Sequence, residues 1–315
     1  MIGIDIGGTK CAAAIGYERD GKLIIESKRQ IPTDCTVSPY EMLDRLCALV
    51  REQTDDFDII GISCGGPLNP SEGTILSPPN LPGWDNVRIT DFLEEHFGCK
   101  AYLQNDANAC AVAEWKYGAG VGMNNMVFMT FGTGLGAGLI LDGRLYCGTN
   151  GMAGEAGHIR LESFGPSGYG KLGSFEGFCS GGGIAELGRM YAREAFQTGR
   201  SVSYCEKPSE TDKITAKKIA ECAGRGAEDA LRVFDVCAEK LGMGLSVIID
   251  ILNPEAIILG SVFQRCERLL RGRAEKIIKK EALAAAADVC KILPAKLGDS
   301  IGDYAALSVA AMNKR

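Results

Sequence analysis

The chain opens on an apolar run, residues 1–6, that breaks at Gly7-Gly8-Thr9-Lys10 and resumes over residues 11–15. That pattern predicts two strands joined by a tight glycine turn. Asp20-Gly21 marks a second hairpin before a strand at 22–31. Ser38-Pro39-Tyr40-Glu41 has the spacing of a capping box with proline at the first helical position, and Leu43, Leu46 and Val50 follow at helical intervals, so a helix starts there. Residues 58–64 read as a buried strand and 65–84, rich in Gly, Pro and Asn, as a long loop of the kind that is usually functional. A short helix at 90–97 closed by Gly98, a strand at 100–103 and a helix at 107–117 complete a first half of order β-β-β-α-β-α-β-α.

The second half opens the same way, with a strand at 126–131, a glycine turn at 132–136, a strand at 137–141 and a hairpin at Asp142-Gly143. Further on, Phe234, Cys237, Leu241, Leu245, Ile248 and Leu252 keep one face of a long helix. Asn253-Pro254 stops it, and 256–260 is an apolar strand. Two halves that each begin with a glycine-turned hairpin point to an internal duplication. Residues 200–215, charged and polar, read as an excursion between helices.

Composition narrows the field. With 315 residues, 46% hydrophobic and 23% charged, the chain has a core of useful size, which excludes a disordered, collagen-like or small stapled protein. Its length suits two domains, or one large one. Lys and Arg number 34 against 40 Asp and Glu, a net charge of −6 with no long run of either sign, so neither nucleic acid nor a membrane surface is an expected partner. Thirteen cysteines are scattered without a CxxC, and neither a leader nor a bilayer-length apolar run is seen. The expectation is a reduced, cytoplasmic protein whose cysteines are mostly small buried hydrophobes.

Four segments could carry chemistry. In Asp5-Ile6-Gly7-Gly8-Thr9-Lys10 the glycines let backbone N–H groups approach a phosphate, Thr9 and Lys10 add a hydroxyl and a charge, and Asp5 could hold magnesium through water. A P-loop is excluded by the order Thr9-Lys10 and by the strand that follows; a plain hairpin is equally consistent with the segment. The run from Gly132 to Gly138 strips one face of side chains, which suits a ligand against the backbone or close strand packing, and no helix follows to make it a dinucleotide site. Asn105-Asp106-Ala107-Asn108 lies at a strand end leading into a helix, where ligands gather in α/β folds, though Asp106 could simply cap that helix. Glu155-Ala156-Gly157-His158, with Glu176 beyond, includes one of two histidines; a hydrogen-bonded buried histidine is its plainer reading, and His96 carries no such case.

The order of these motifs says more than any one of them. Asp5-x-Gly7-Gly8-Thr9-Lys10, Gly65-Gly66-Pro67, Pro79-Asn80-Leu81-Pro82-Gly83-Trp84, Asn105-Asp106-Ala107-Asn108-Ala109, the hairpin from Gly132, Gly154-Glu155-Ala156-Gly157-His158 and Leu252-Asn253-Pro254 to Leu259-Gly260 together resemble the ROK family of bacterial sugar kinases and sugar-responsive repressors. The resemblance covers nearly the whole chain. It implies an α/β, two-domain actin-like ATPase (ribonuclease H-like) fold with an interdomain cleft, which would account for the duplicated halves. The expected division is a small domain at 1–118, completed by a C-terminal helix at 300–315, and a large domain at 119–299.

The resemblance also implies roles. Asp5, Gly8, Thr9 and Lys10 would form one phosphate segment, with Asp5 on magnesium through water, Thr133 and Gly134 a second, and Gly260 and Ser261 would lie by the adenosine of ATP. Asn80, Asn105, Glu155, His158 and Glu176 match positions that contact sugar hydroxyls, Gly66 lines the pocket by its backbone, and Asp106 matches the catalytic base. Typical members join the His to three cysteines around a structural zinc. Here no cysteine lies between His158 and Glu176 and Cys179 alone cannot complete a site, so zinc is expected to be absent and the segment held by packing, with Tyr169 and Phe175 inward.

The implied activity is ATP-dependent phosphorylation of a hexose, glucose at its 6-hydroxyl first, with an N-acetylated hexosamine (N-acetylglucosamine or N-acetylmannosamine) or another hexose as the alternative. Relatives are commonly homodimers. A sugar-binding transcriptional regulator is the reading from another class. Those members carry an N-terminal helix-turn-helix, whereas this sequence starts on its first strand, so the enzyme is the expectation. A catalytically dead sugar sensor is disfavoured by the presence of Asp5 and Asp106.

Overall fold

The computed structural model describes residues 1–314. In chain order the first elements are β1 (Ile2–Ile6), β2 (Lys10–Arg19), β3 (Lys22–Pro32), α1 (Pro39–Arg51), β4 (Ile59–Cys64), β5 (Leu68–Asn69), β6 (Thr74–Ile75), β7 (Val87–Arg88), α2 (Ile89–Phe97), β8 (Lys100–Asn105) and α3 (Asp106–Tyr117). There follow β9 (Met126–Phe131), β10 (Leu135–Leu141), β11 (Arg144–Tyr146), β12 (Ser167–Gly168), β13 (Lys171–Leu172), α4 (Phe175–Phe178), α5 (Gly181–Gln197), α6 (Ala216–Gly224) and α7 (Glu228–Leu252). The chain closes with β14 (Ala256–Leu259), α8 (Val262–Glu281), α9 (Ala284–Ala287), β15 (Lys291–Pro294) and α10 (Ile301–Asn313).

Two main sheets have the same strand order, β3-β2-β1-β4-β8 and β11-β10-β9-β14-β15. In the first, β1 is antiparallel to β2 and parallel to β4, which is parallel to β8. In the second, β10 is antiparallel to β11, and β9, β14 and β15 run parallel. This shared order expresses as topology the duplication suggested by the paired glycine hairpins. The segment 65–84 is not a plain loop: β5, β6 and the later β7 make a small antiparallel sheet within 68–88. Each of its strands is two residues long, too short for an alternation to show in sequence.

The chain separates into two compact units. The first holds Met1–Asn124, Gly138–Ala153 and the described residues from Lys296; the second holds Asn125–Ala137 and Gly154–Ala295. Against the division expected at 118, the first unit runs on to Asn124 and takes back 138–153. The expected helix at 300–315 is α10, in the first unit, with residue 315 outside the described residues.

In the first unit the alternation of β1 decides what packs where. Ile2, Ile4 and Ile6 point into a core with Leu43, Leu46 and Val50 of α1 and with Ile60, Ile62 and Cys64 of β4. The opposite face carries Gly3 and Asp5, in register with Gly61 and Ser63. There α10 lies directly on the sheet: a Cβ on Gly61 would stand 2.2 Å from the carbonyl oxygen of Ala306, and one on Gly3 2.7 Å from the nitrogen of Leu307. Buried Glu114 of α3 ties this unit together, its Oε1 accepting the N–H groups of Lys296 (2.9 Å) and Leu297 (2.8 Å) and its Oε2 that of Ala119 (2.7 Å).

In the second unit α7 buries Phe234, Cys237, Leu241, Leu245 and Ile249 and packs along α8, ending at Asn253 in the left-handed conformation (φ +43°). The excursion at 200–215 contains a 3-10 turn, Pro208–Lys213, and ends on Thr215, which caps α6. Among the described residues no cysteine is in a disulfide, and no helix is long and apolar enough to cross a membrane.

Candidate active site

In the first unit, three parallel strands deliver polar groups to one edge. Asp5 of β1 is in register with Ser63 of β4, and Ser63 with Gln104 of β8; the next row is Ile6, Cys64 and Asn105. Carboxyl ends of parallel strands are where ligands gather in open α/β sheets. The Asp5 carboxylate sits against the first turn of α10, where a Cβ on Gly302 would be 2.8 Å from its Oδ2, and it accepts a hydrogen bond from the Ser63 hydroxyl. Burial, then the charges of Asp106 and Asp303, push its pKa up to about 6; Ser63 and Lys28 only partly oppose them. Lys28 of β3 donates to Asp303 of α10 at 2.6 Å, and Asp303 is nearly buried, so the ion pair anchors the start of α10 beside Asp5.

The β1–β2 turn is held from behind. Gly7 N–H donates to the Lys10 carbonyl (3.1 Å), and the Thr33 hydroxyl donates to the Gly7 carbonyl (2.6 Å). Thr9 and Lys10 are exposed, and Asn80 lies on Gly8 so closely that a Cβ there would meet the Asn80 carbonyl oxygen at 2.5 Å. The structure thus brings Gly8 and Asn80 together.

Of the strand-end Asn-Asp pair it is Asn105, not Asp106, that caps the helix. Asn105 caps α3, its Oδ1 accepting from the N–H groups of Ala107 (3.0 Å) and Asn108 (3.4 Å), while its Nδ2 lies 3.4 Å from where a Gly66 Cβ would stand. Asp106 is therefore the first helical residue. Its Oδ1 accepts the Ala107 N–H at 2.8 Å, and its Oδ2 lies toward Gly65. Solvent reaches Asp106, yet protein surrounds it closely enough that lost hydration raises its pKa, only partly countered by the backbone N–H groups at the helix start. The buried amide of Asn108 donates to the Gln104 side chain at 3.1 Å, behind the site.

In the second unit, the turn of the β9–β10 hairpin carries Thr133 and Gly134. Gly132 N–H donates to the Gly134 carbonyl (3.1 Å), and the Gly132 carbonyl accepts from Gly181 at the first turn of α5 (2.7 Å). The N-terminus of α5, capped by Ser180, therefore abuts the turn, adding N–H dipoles of the kind that favour an anion. Gly260 and Ser261 follow β14, and Ser261 leads into α8 at φ +46°, with a Cβ on Gly132 4.0 Å from its hydroxyl. Glu176 of α4 points back to the same turn: its Oε2 accepts the Leu135 N–H at 2.9 Å. Glu155 and His158 are exposed on a 3-10 turn, and Gly157 between them packs against the Leu135 carbonyl and Glu176.

Between His158 and Glu176, Phe175 is fully buried, as expected, but Tyr169 is 73% exposed. It occupies the turn between β12 and β13 at φ +45°, where its ring meets that of His158 edge-on at 6.4 Å. The tight turn leaves no inward direction. The donor set does not fit zinc. Cys179 is buried, its thiol donating to the Cys237 carbonyl at 3.4 Å, and with His158 it makes two donors where a tetrahedral site needs four.

Ser63, Gly302, the Lys28–Asp303 pair and the α5 N-terminus were not legible as site residues. Two of these, Gly302 and the Lys28–Asp303 pair, depend on α10 folding back onto β1 and β4, a contact between chain ends; the glycines of β1 and β4 facing its alanines are the available signal. A depression of about 630 Å3 lined by Thr33, Asp34, Arg45 and Glu52 holds none of the expected residues, and Arg45 pairs with Asp34 at 3.1 Å.

The ROK family profile matches residues 1–312. A glucokinase of Thermotoga maritima is 29% identical over 314 residues, 98% of this chain and 96% of that protein. One of Halalkalibacterium halodurans is 31% identical over 312 residues, 96% and 92% of the two chains. Among solved structures, a ROK family glucokinase from Streptomyces griseus in complex with glucose and AMPPNP superposes with a TM-score of 0.78 at 28% identity, covering 99% of both chains. The two sheets of equal strand order are accordingly those of an actin-like ATPase fold. Matched along its length by sequence and by fold, the chain belongs to the ROK family.

Proposed function

We propose that this chain transfers the terminal phosphoryl group of ATP to a hydroxyl of a hexose, with glucose at its 6-hydroxyl as the first substrate. The observation that carries the reading is the placement of Asp106. It stands at the first turn of α3, with one carboxylate oxygen held by Ala107, the other lying toward Gly65, and a pKa that burial raises. That suits a group accepting the sugar hydroxyl proton as the phosphoryl group is transferred, since a raised pKa makes the carboxylate a stronger base. The choice of glucose leans on the two glucokinase relatives.

In this reading Asn80, Asn105, Glu155, His158 and Glu176, with the backbone of Gly66, hold the sugar hydroxyls. Gly8, Thr9 and Lys10 and, from the second unit, Thr133 and Gly134 hold the phosphates, and Gly260 and Ser261 lie by the adenosine. Magnesium fits the first unit's donor set. Asp5 offers a hard carboxylate oxygen, and its pKa is raised first by burial and then by the charges of Asp106 and Asp303, charges that a divalent cation would offset. Bound through water to Asp5, the ion would neutralise charge on the phosphates. The residues themselves then supply mostly position and electrostatic stabilisation, as a loose phosphoryl-transfer transition state requires.

The test is ADP release by the purified protein with ATP and magnesium over glucose, mannose, allose, fructose and the N-acetylated hexosamines. Release dependent on glucose supports the full reading. Release with an N-acetylated hexosamine alone keeps the kinase and replaces its substrate. Silence with every sugar, in protein that binds one, overturns the enzyme reading in favour of a sensor.

A further inference from the structure

Lys240 is a charged residue on the buried side of α7, between Cys237 and Leu241, with its side chain only 10% exposed. An ammonium so placed requires a partner. Its Nζ donates to Oε1 of Glu162 at 2.5 Å and lies 3.5 Å from the Met243 sulfur and 5.8 Å from the centre of the Phe178 ring. Glu239 is 3.6 Å away, but Arg273 engages that carboxylate and holds its pKa below the usual range.

Glu162 and Phe178 bracket the segment that ends in Glu176. The N–H groups of Leu161 and Glu162 both donate to the Gly173 carbonyl (2.9 and 3.1 Å), Gly173 N–H donates to Pro166 (3.0 Å), and Phe175 N–H donates to Ile159 (2.7 Å). Gly165 lies on the Phe178 ring, where a Cβ would be 2.4 Å from the ring edge. Fixing Glu162 therefore fixes Gly173, and through it Ser174, whose hydroxyl caps α4 and so orients Glu176 toward Leu135. At the other end Lys171 donates to the His158 carbonyl (2.7 Å). Among the described residues, the ion pair that ties this segment to α7 is Lys240–Glu162.

We propose that the Lys240–Glu162 ion pair is the clamp that sets residues 159–176, in the place where the donor set does not fit a metal, and that both are positioning residues for Glu176 and His158. The kinetic consequence rests on the sugar-kinase reading; the structural one does not.

Amide hydrogen exchange of the full-length protein tests the clamp directly, comparing the parent with Glu162→Gln, Lys240→Met and the double variant. In either single variant, peptides covering 159–176 are expected to exchange at least about tenfold faster, while those of β9 and β14 keep the parent's rates. The double variant should exchange no faster than the worse single one, because the pair acts as a unit. With a sugar that supports ADP release, KM for the sugar should rise about tenfold at a kcat within about twofold of the parent. Glu162 is half exposed, so its variant judges the clamp even if Lys240→Met does not fold. Parent-like exchange at 159–176 in Glu162→Gln overturns the proposal, as does acceleration spread equally over α7, β9 and β14. A parent without sugar-dependent ADP release overturns the kinase reading and leaves the exchange result to judge the clamp.

Discussion

Asp5 lies one residue before the end of β1 and Asp106 directly follows β8, with β4 between those two strands, and the charge of Asp106 is second only to burial in raising the Asp5 pKa to about 6. Strand spacing puts their backbones roughly 10 Å apart. At that distance two carboxylates sense one another without sharing a proton.

The first prediction concerns Asp5 in the protein without nucleotide or magnesium. Its folded pKa lies above the ordinary value of 3.8, so the proton-bound form favours the fold. Its contribution to stability is present at low pH and is lost as pH rises through about 6. Asp5→Asn should therefore melt a few degrees above the parent at pH 8, with the gap closing below about pH 4. Equal melting temperatures for parent and variant at pH 8 would contradict the assignment of a buried, repelled carboxylate.

Asn105 combines two tasks that substitution can separate. Asn105→Ala removes the cap of α3 and should cost about 1 kcal/mol in denaturant unfolding. Asn105→Asp keeps an oxygen for the Ala107 and Asn108 N–H groups, so it should recover most of that stability, yet it loses the Nδ2 donor beside Gly66. Sugar affinity should fall in both variants. An Asp variant with full affinity would restrict Asn105 to its capping role.

The seating of α10 makes a sharper prediction. Gly61→Ala would drive a methyl group to 2.2 Å from a backbone oxygen of α10 and 2.4 Å from a backbone nitrogen, neither of which can yield alone. The variant should lose about 3 kcal/mol or fail to fold. Gly272 of α8 is the control, because nothing lies within 4 Å of its added Cβ; Gly272→Ala should gain about 0.5–1 kcal/mol from helix propensity. Similar unfolding curves for the two variants would refute the packing argument.

Much of this was readable in advance where the signal was local. The glycine hairpins at Gly7 and Gly132, the Ser38 cap of α1, the Gly98 stop of α2 and the apolar face of α7 follow from period, capping and turn chemistry, and the structure has each. Two strands are longer than their apolar patterns suggest: β8 runs on through polar Gln104 to Asn105, and β10 begins at Leu135 inside the glycine run, where the apolar pattern is broken. The small sheet of β5, β6 and β7 was hidden by strands of two residues. At the site, Asn105 and Asp106 were legible as a pair, but which one caps depends on a backbone turn of one residue. Lys240 stands beside Leu241 on the apolar side of α7. Its partner lies 78 residues away, and no local pattern announces that pairing.

If Asp106 takes the proton of a bound sugar, Asp106→Asn, which keeps size and polarity and removes the base, should separate binding from turnover. Sugar binding by calorimetry and sugar-dependent ADP release should be measured on the same preparation. The dissociation constant should stay within a few-fold of the parent's while turnover falls by about a thousandfold. A variant that binds the sugar and turns over near the parent's rate would contradict that role for Asp106.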